Sequence, residues 1–340
     1  MIGLTDIWQR RGGAARWLLP VSWLYRAVWR LRQAAYSRGL FPVERMPVPV
    51  VVVGNVIAGG AGKTPAVIAL VEHLQARGIG VGVVSRGYGR TPPPGDDDGG
   101  VEVSPQSDPG HVGDEPLLIA RRTGAPVFVG RRRGSAARRL LAAHRAVQVL
   151  VCDDGLQHRA LARDIEVCVF DDRGIGNGWL LPAGPLREPW PRAVDLVLHT
   201  GARPAFAGFR GARRLADAAV GRDGSTVPLA VLAMSTAPLV AVAGIARPQT
   251  FFAMLRDRGL PLAGTCALPD HADPADFGSH LAAMPDPGAD TLLLCTEKDA
   301  AKLWPLRPDA LAVPLLFALP QDFLARFDRL LDARLSSASR

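Results

Sequence analysis

The sequence predicts an α/β protein built on a mostly parallel sheet with helices on both faces. An unbroken apolar run at residues 50–53 and largely apolar runs at 146–152 and 165–170 predict buried strands. Such runs are typical of strands covered on both faces, which lose the alternation of apolar and polar residues. Segments with apolar residues at helical spacing, such as 66–77, lie between the strands. This order of strands and helices favours a parallel sheet.

Length and composition narrow the class of protein. The 340 residues suit two compact domains or one large one, and 48% hydrophobic with 21% charged residues excludes a disordered chain. The formal net charge of +8 favours an anionic partner, which could be a nucleotide, nucleic acid or an acidic membrane surface. The four cysteines show no CxxC spacing, which argues against a zinc site. No run of 18 apolar residues lacks charge, so we predict no membrane-spanning helix.

A glycine-rich loop follows the first strand. It reads Gly59-Gly60-Ala61-Gly62-Lys63-Thr64 and leads into a helix with Pro65 in its first turn and Gly78 at its end. Backbone N–H groups of such a loop bind phosphate, the lysine reaches the β- and γ-phosphates, and the threonine hydroxyl can hold Mg²⁺. The usual spacing would place a glycine at Ile57, so this is a tighter variant of that loop. The alternative is a glycine-rich structural turn.

Two carboxylates end the strand predicted at 146–152. Asp153 and Asp154 follow it directly, and Gln157 and His158 lie one turn further on. An apolar strand that ends in aspartates is the usual partner of a phosphate loop, because one carboxylate holds Mg²⁺ directly or through water. The alternative is a capped turn.

Acids at a predicted helix start and a lone histidine form a second group of candidates. Asp114 and Glu115 precede an apolar helix, where they could cap it or act as a general base and a metal-positioning acid. His271 follows an aspartate at a strand end, so a functional and a structural role are both open.

Charged residues in loops form a third group. Arg86 lies on a glycine-flanked loop at the end of a strand, where it could bind an anionic group or be a solvated basic residue. Arg187 and Glu188 end a loop rich in proline and glycine and could reach the site.

The N-terminal segment differs from the rest of the chain. One helical face of residues 14–38 is apolar, the opposite side carries arginines, and the chain reaches Glu44 with only one earlier acid. The apolar positions are Trp17, Val21, Leu24, Val28, Leu31 and Ala35. This pattern is typical of a helix lying in the plane of a membrane. The alternative is an amphipathic helix packed on its own domain.

We therefore predict three regions. Residues 1–45 form the N-terminal amphipathic helix, and residues 46–215 form a core domain of the P-loop NTPase-like type. Residues 216–340 form a smaller α/β domain that closes a cleft, with the junction in the segment 201–226, which is rich in alanine, arginine and glycine. Its predicted strands are 239–242, 262–268, 291–295 and 311–317, with helices at 249–257 and from about 321.

Taken together and in this order, the motifs resemble those of the tetraacyldisaccharide 4′-kinases of lipid A biosynthesis. The motifs are Gly59-Gly60-Ala61-Gly62-Lys63-Thr64-Pro65, Ser85-Arg86-Gly87-Tyr88-Gly89, Gly113-Asp114-Glu115-Pro116, Asp153-Asp154-Gly155-Leu156-Gln157-His158, Leu181-Pro182-Ala183-Gly184-Pro185-Leu186-Arg187-Glu188-Pro189, Asp270-His271 and Thr296-Glu297-Lys298-Asp299. The resemblance implies transfer of phosphate from ATP, with Mg²⁺, to the 4′-hydroxyl of a lipid disaccharide. It also implies a monomer bound peripherally to the cytoplasmic face of the bacterial inner membrane.

The resemblance also implies roles for the candidate residues. Lys63 would be catalytic, Asp114 would be the base and His271 would orient it. The phosphates of ATP would contact Gly59, Gly60, Ala61, Gly62, Lys63 and Thr64; the metal would contact Thr64, Asp153, Asp154 and Gln157; the acceptor would contact Arg86, Glu115, His158, Arg187 and Glu188. The chain departs from the family at Ala272, where members often carry a second histidine.

Two other functions fit parts of the pattern. A P-loop ATPase or GTPase that acts as a switch or metallochaperone would hydrolyse nucleotide with no sugar acceptor, and it would not need the N-terminal helix. A nucleic-acid-binding protein would use the positive charge, but the arginines cluster near the N-terminus and the phosphate loop, with no recognition motif. We therefore predict no nucleic-acid partner.

Overall fold

The computed structural model describes residues 7–92, 99–270, 272–283 and 291–338. It contains two sheets of mostly parallel strands, joined by a two-stranded ribbon. The larger sheet consists of β1 (Val50–Gly54), β2 (Val81–Ser85), β3 (Val101–Val103), β4 (Val127–Val129), β5 (Val149–Asp153), β6 (Ile165–Phe170), β7 (Leu196–His199) and β8 (Phe209–Arg210). Its order is β3-β4-β2-β5-β1-β6-β7-β8, and only the edge strand β3 is antiparallel to its neighbour in the described part of the chain.

The smaller sheet follows in sequence. It contains β10 (Ala218–Val220), β11 (Thr226–Pro228), β12 (Leu239–Ala243), β13 (Leu262–Ala267), β14 (Leu292–Thr296) and β15 (Leu311–Val313), in the order β11-β10-β15-β14-β12-β13. Strands β9 (Ala212–Leu215) and β16 (Leu315–Ala318) pair antiparallel as the ribbon. The chain thus enters the smaller sheet through one strand of the ribbon and leaves it through the other.

Helices cover both sheets. They are α1 (Gly13–Trp17), α2 (Leu19–Ser37), α3 (Lys63–Ala76), α4 (Pro109–Val112), α5 (Asp114–Thr123), α6 (Arg133–Ala143), α7 (Leu229–Ala233), α8 (Pro248–Asp257), α9 (Pro274–Ala283), α10 (Glu297–Leu303) and α11 (Gln321–Ala338). The fold class is therefore confirmed as α/β with a mostly parallel main sheet and a second, smaller sheet.

Strand β1 lies at the centre of the larger sheet and is buried along its whole length. Val51 and Val53 pack into a core with α3, while Val50 and Val52 pack into a second core on the other face. Because both faces are covered, the strand has no polar alternation, as the sequence predicted.

The C-terminal helix α11 returns to the larger sheet. Its Phe323, Phe327 and Leu331 are buried in the same core as Val51 and Val53 of β1. The division of the chain at residues 215 and 216 stays a proposal, and this last helix packs on the first part of the chain.

One predicted strand is wrong. The apolar run 311–317 forms two strands, β15 and β16, that belong to different sheets. Pro314 separates them, because it lacks the N–H that an interior strand residue donates. The antiparallel edge strand β3 was not predicted, since a three-residue strand leaves almost no periodic pattern.

Helix α2 docks through its polar side on the loop between β6 and β7 of the larger sheet. Ser22 Oγ donates to the carbonyl of Leu180 at 2.9 Å, and Tyr25 Oη donates to the carbonyl of Arg187 at 2.7 Å. The opposite side is apolar and faces solvent, with Leu24 66% and Leu31 71% exposed. Among the described helices, none is both long enough and apolar enough to span a bilayer.

Candidate active site

The glycine loop connects the end of β1 to the start of α3. Gly59 and Gly62 have φ angles of +86° and +78°, a left-handed conformation in which a Cβ atom is unfavourable. The loop is fastened from the end of β7, where Thr200 Oγ1 donates to the carbonyl of Ala61 at 2.8 Å. Arg213 of β9 donates to Thr200 Oγ1 at 2.6 Å and fills the space beside Gly62. The ribbon between the sheets therefore touches the phosphate loop directly.

A second arginine supports the same loop. Arg173 donates to the carbonyl of Gly60 at 2.7 Å, and Asp171, which is buried, holds its guanidinium through oxygens at 2.9 and 3.0 Å. Arg247, at the start of α8, lies 3.4 Å from the same carboxylate. Burial lowers the pKa of Arg213 nearby, partly offset by Asp171. Sequence reasoning missed these arginines, because nothing local distinguishes them from the chain's many solvated arginines.

Lys63 and Asp154 face each other above the loop. Lys63 Nζ is 3.5 Å from Asp154 Oδ1, and Arg187 Nη1 donates to both oxygens of this carboxylate at 2.9 and 3.2 Å. Burial disfavours the charged form of Asp154, but Lys63 and Arg187 outweigh it, so its pKa is lowered. Asp154 has a φ of +48°, unusual for a residue other than glycine. The structure thus brings the predicted residues Lys63, Asp154 and Arg187 together, and their roles stay predictions.

Asp153 has a different environment from its neighbour. Ser85 Oγ donates to its Oδ2 at 3.2 Å, while Oδ1 is buried with no hydrogen-bond partner among the described residues. Burial and the nearby charge of Glu115 raise the pKa of Asp153 to about 7, against the attraction of Lys63. A buried carboxylate oxygen without a donor is the kind of group that a cation would stabilise.

Gln157 presents a second such oxygen. Its Nε2 donates to the carbonyl of Asn55 at 3.0 Å and to Glu188 Oε1 at 2.8 Å. Both partners are acceptors, which assigns the amide orientation and leaves Oε1 buried without a donor in the described part of the chain. Glu188 is itself buried between Gln157, Arg159 and Arg192. It orients Gln157, and its contact with an acceptor stays a prediction.

These donors fit a magnesium ion. Thr64, the second residue of α3, and the free oxygens of Asp153 and Gln157 are the hard oxygen ligands that Mg²⁺ prefers. Among the described residues no cluster of three or more His, Cys, Asp or Glu could hold a metal alone. Mg²⁺ usually takes one or two carboxylates and completes its shell with phosphate oxygens and water, so this sparse set matches that use.

Two cavities meet at the phosphate loop. The first measures about 210 Å³ and lies between the loop and the smaller sheet, lined by apolar side chains such as Ile245, Phe251 and Met254. The second, of about 650 Å³, lies on the other side of Lys63 and is rich in arginine. Both are lined by Gly60, Lys63, Glu115 and Asp270. The predicted residues Arg86, His158 and Arg187 line the second cavity, together with Arg32, Tyr88, Arg131 and Arg133.

The second cavity has more cationic than anionic side chains on its wall. Six arginine and lysine residues line it, against the four carboxylates of Glu115, Asp153, Asp154 and Asp270. Burial lowers the pKa of His158 to about 4, and Arg133, Arg163, Arg32 and Arg86 add to the effect. This excess of positive charge favours an anionic ligand.

Asp114 is the first residue of α5 and is almost fully buried. Lys302 Nζ donates to its Oδ2 at 2.7 Å. Of the residues that the structure describes, Glu115 rather than Asp114 lines the cavities. His271 lies outside the described residues, so its predicted pairing with Asp114 stays a prediction. The sequence analysis did not identify Lys302 as a candidate. The one local sign that it is buried is that its neighbours Ala300, Ala301, Leu303 and Trp304 are apolar.

Backbone turned by glycines at a helix start, a lysine beside it and an acid at the end of β5 make a phosphate-binding arrangement. Fold and site together define a phosphate-loop nucleotide-binding protein of the α/β class.

Comparisons with known proteins name the family. The family model for tetraacyldisaccharide-1-P 4′-kinase matches residues 14–336. The tetraacyldisaccharide 4′-kinase of Acidovorax sp. (strain JS42) is 57% identical over 338 residues, 99% of this chain and 95% of the relative. That of Polaromonas naphthalenivorans (strain CJ2) is 56% identical over 343 residues, 98% of this chain and 96% of the relative. The chain belongs to the tetraacyldisaccharide 4′-kinase family.

A solved structure agrees. The crystal structure of LpxK from Aquifex aeolicus in complex with ATP superposes with a TM-score of 0.78 at 28% identity, covering 94% of this chain and 100% of the other. The kinase class and the resemblance found in the sequence are thereby confirmed.

Proposed function

We propose that the protein transfers the γ-phosphoryl group of ATP to the 4′-hydroxyl of tetraacyldisaccharide 1-phosphate, giving lipid IVA in lipid A biosynthesis. The observation that carries this proposal is the position of Lys63 between an apolar and a basic cavity. A donor nucleotide and an anionic acceptor can then meet at one ammonium group. The family to which the chain belongs, and the ATP complex of the Aquifex relative, support it.

The nucleotide side is the first cavity and the glycine loop. Apolar side chains of α8 and β15 suit a base, and the loop N–H groups suit the phosphates. Lys63 would neutralise charge on the transferred group, which matters because phosphoryl transfer depends mainly on positioning and electrostatics. Arg173 and Arg213 hold the loop in place for it.

The metal side is formed by Thr64, Asp153 and Gln157, with Asp154 held by Lys63 and Arg187. Mg²⁺ bound there would neutralise charge between the β- and γ-phosphates. The oxygen Oδ1 of Asp153, which has no hydrogen-bond donor among the described residues, would gain a positive partner.

The acceptor side is the second cavity. Its arginines suit a substrate that already carries a 1-phosphate, and Arg86 and His158 lie on its wall. Asp114 is the proposed base that accepts the proton of the sugar hydroxyl, with His271 orienting it. The start of α5 reaches the junction of the cavities through Glu115, which places Asp114 one residue away.

The exposed side of α2 is the proposed membrane contact. Val21, Leu24, Val28 and Leu31 form an apolar stripe that no described residue covers, and Arg26 and Arg30 are exposed elsewhere on the same helix. A stripe of this kind inserts into the interface of an anionic bilayer. We propose that the enzyme acts as a monomer at the cytoplasmic face of the inner membrane, where its lipid substrate would lie.

The test is to incubate the protein with γ-labelled ATP, Mg²⁺ and the disaccharide lipid and to separate the lipids. We expect a labelled lipid that carries the label at the 4′ position, and no labelled lipid without Mg²⁺. Release of labelled phosphate with the lipid unlabelled would overturn the proposal and favour an ATPase switch.

A further inference from the structure

Lysine is rare in this chain. Of its 40 Lys and Arg residues only three are lysines, namely Lys63, Lys298 and Lys302. On a solvated surface the two residue types are nearly equivalent, but in a tight buried site the compact ammonium and the planar guanidinium are not. The positions at which this chain keeps a lysine are therefore candidates for a role that arginine cannot fill.

All three lysines lie at or behind the candidate site. Lys63 lies in the phosphate loop, and the other two lie four residues apart on α10, on one face of that helix. Lys298 lines the first cavity and its Nζ is 3.0 Å from Asp270. Lys302 is 9% exposed and its Nζ meets Asp114 Oδ2 at 2.7 Å.

Lys302 has a second partner. Its Nζ donates to the carbonyl of Ala272 at 2.9 Å, two residues from Asp270. One ammonium thus joins the first residue of α5, a helix that packs on the larger sheet, to Ala272, which lies after β13 of the smaller sheet. Because a guanidinium is wider than an ammonium, an arginine could not meet both oxygens without displacing α5 or Ala272.

We propose that Lys302 is a positioning residue for phosphoryl transfer. Its ammonium fixes Asp114 against the smaller sheet and so sets the orientation of the carboxylate that receives the proton of the sugar hydroxyl. The inference rests on the proposed function, in which Asp114 is the base. A buried ion pair that only fastened the two sheets together would leave the chemical step unchanged in any folded variant.

A second ion pair between the same two helices provides a matched control. Arg122 of α5 donates to Glu297 of α10 at 2.8 Å, and Arg122 lines neither cavity in the described part of the chain. Arg122→Met therefore removes a link between the two helices without touching Asp114, and because its partner Glu297 lines the first cavity, the Kd for Mg²⁺-ATP of this variant is measured as well.

The experiment measures kcat and KM for lipid phosphorylation, and Kd for Mg²⁺-ATP, in the full-length wild type, Lys302→Met, Lys302→Arg and Arg122→Met. General-base catalysis contributes roughly 100-fold to 10,000-fold, so we expect kcat to fall at least about 100-fold in Lys302→Met. We expect a fall of at least about 10-fold in Lys302→Arg, because the charge is kept and the position is lost. The Kd for Mg²⁺-ATP stays within about threefold of wild type in both Lys302 variants, because the described contacts of Lys302 are with Asp114 and Ala272 and not with the phosphate loop. The kcat of Arg122→Met stays within about threefold of wild type, because this substitution leaves the contact between Lys302 and Asp114 in place.

The other outcomes overturn either this inference or the proposed function. A kcat within threefold of wild type in either folded Lys302 variant overturns the inference, as does an equal loss in Lys302→Met and Arg122→Met. If Lys302→Met does not fold, Lys302→Arg decides alone, since it keeps the buried charge paired. A wild-type protein that leaves the lipid unlabelled overturns the proposed function instead.

Discussion

Arg187 Nη1 contacts both carboxylate oxygens of Asp154, at 2.9 and 3.2 Å, while Lys63 lies 3.5 Å from the same group. Asp154 is therefore shared by two cations, and the closer one is the arginine. Under the proposed function, this pairing with Arg187 would leave the Lys63 ammonium available for a phosphate.

This sharing predicts the effect of Arg187→Met. Without Arg187, Asp154 would attract Lys63 more strongly and compete with the phosphates for its ammonium. We expect the Kd for Mg²⁺-ATP to rise about tenfold, equivalent to about 1.4 kcal/mol, measured by calorimetric titration. Arg139→Met, which changes an arginine outside both cavities, is the control. An unchanged affinity in Arg187→Met would show that Asp154 does not compete for Lys63.

Gly62 and Gly78 form a matched pair of glycines, one at each end of α3. Their φ angles are +78° and +74°, but a Cβ at Gly62 would meet Arg213, whereas a Cβ at Gly78 has nothing within 4 Å. We expect both alanine variants to lose about 1–2 kcal/mol of stability from backbone strain. Only Gly62→Ala should also lose nucleotide binding, by tenfold or more in a titration. Equal nucleotide affinity in the two variants would contradict a phosphate site at this loop.

The apolar stripe of α2 predicts weaker membrane binding when it is made polar. Leu24→Ser with Leu31→Ser should leave the protein folded, because both side chains are exposed. A buried leucine contributes about 1.5–3 kcal/mol, so losing both should reduce binding to anionic vesicles by more than tenfold in cosedimentation. Met234→Ser, at a residue 77% exposed beyond the end of α7, controls for a general loss of surface hydrophobicity. Undiminished cosedimentation of the double variant would exclude this face as the contact.

The packing of α11 predicts a large loss of stability when one of its buried aromatic side chains is removed. Phe327 is fully buried in the core of the larger sheet, so Phe327→Ala should lower the free energy of unfolding by about 3–5 kcal/mol. Arg326→Ala, at an exposed position of the same helix, should change it by less than about 0.5 kcal/mol. Urea unfolding followed by tryptophan fluorescence measures both. A loss below 1 kcal/mol for Phe327→Ala would show that the helix is not part of this core.

Local signals in the sequence were enough for the main elements and the phosphate loop. The strands at 50–53 and 165–170 and the helix that begins near residue 321 lie where the apolar patterns predicted them. Their signals are local, because burial on both faces or on one helical face leaves a mark on consecutive residues. The loop was identified in the same way, from glycines next to Lys63 and Thr64.

Contacts between distant segments were not visible in the sequence. Arg213, which supports the phosphate loop, lies about 150 residues later in the chain than the loop. Lys302, which contacts Asp114, lies 188 residues from it. Neither residue stands in a pattern, since a single cation on a helix or strand most often faces water. Pro314 was visible in the sequence, but its effect depends on two strands lying in different sheets, which only the fold reveals.

The return of α11 to the larger sheet has a consequence for biosynthesis. The core of the larger sheet needs Phe323, Phe327 and Leu331, which follow every strand of the smaller sheet in the sequence. During translation this core therefore stays incomplete until the whole smaller sheet has been synthesised, although its own strands are made first. The structural support of the phosphate loop is thus completed by one of the later-synthesised helices of the described chain.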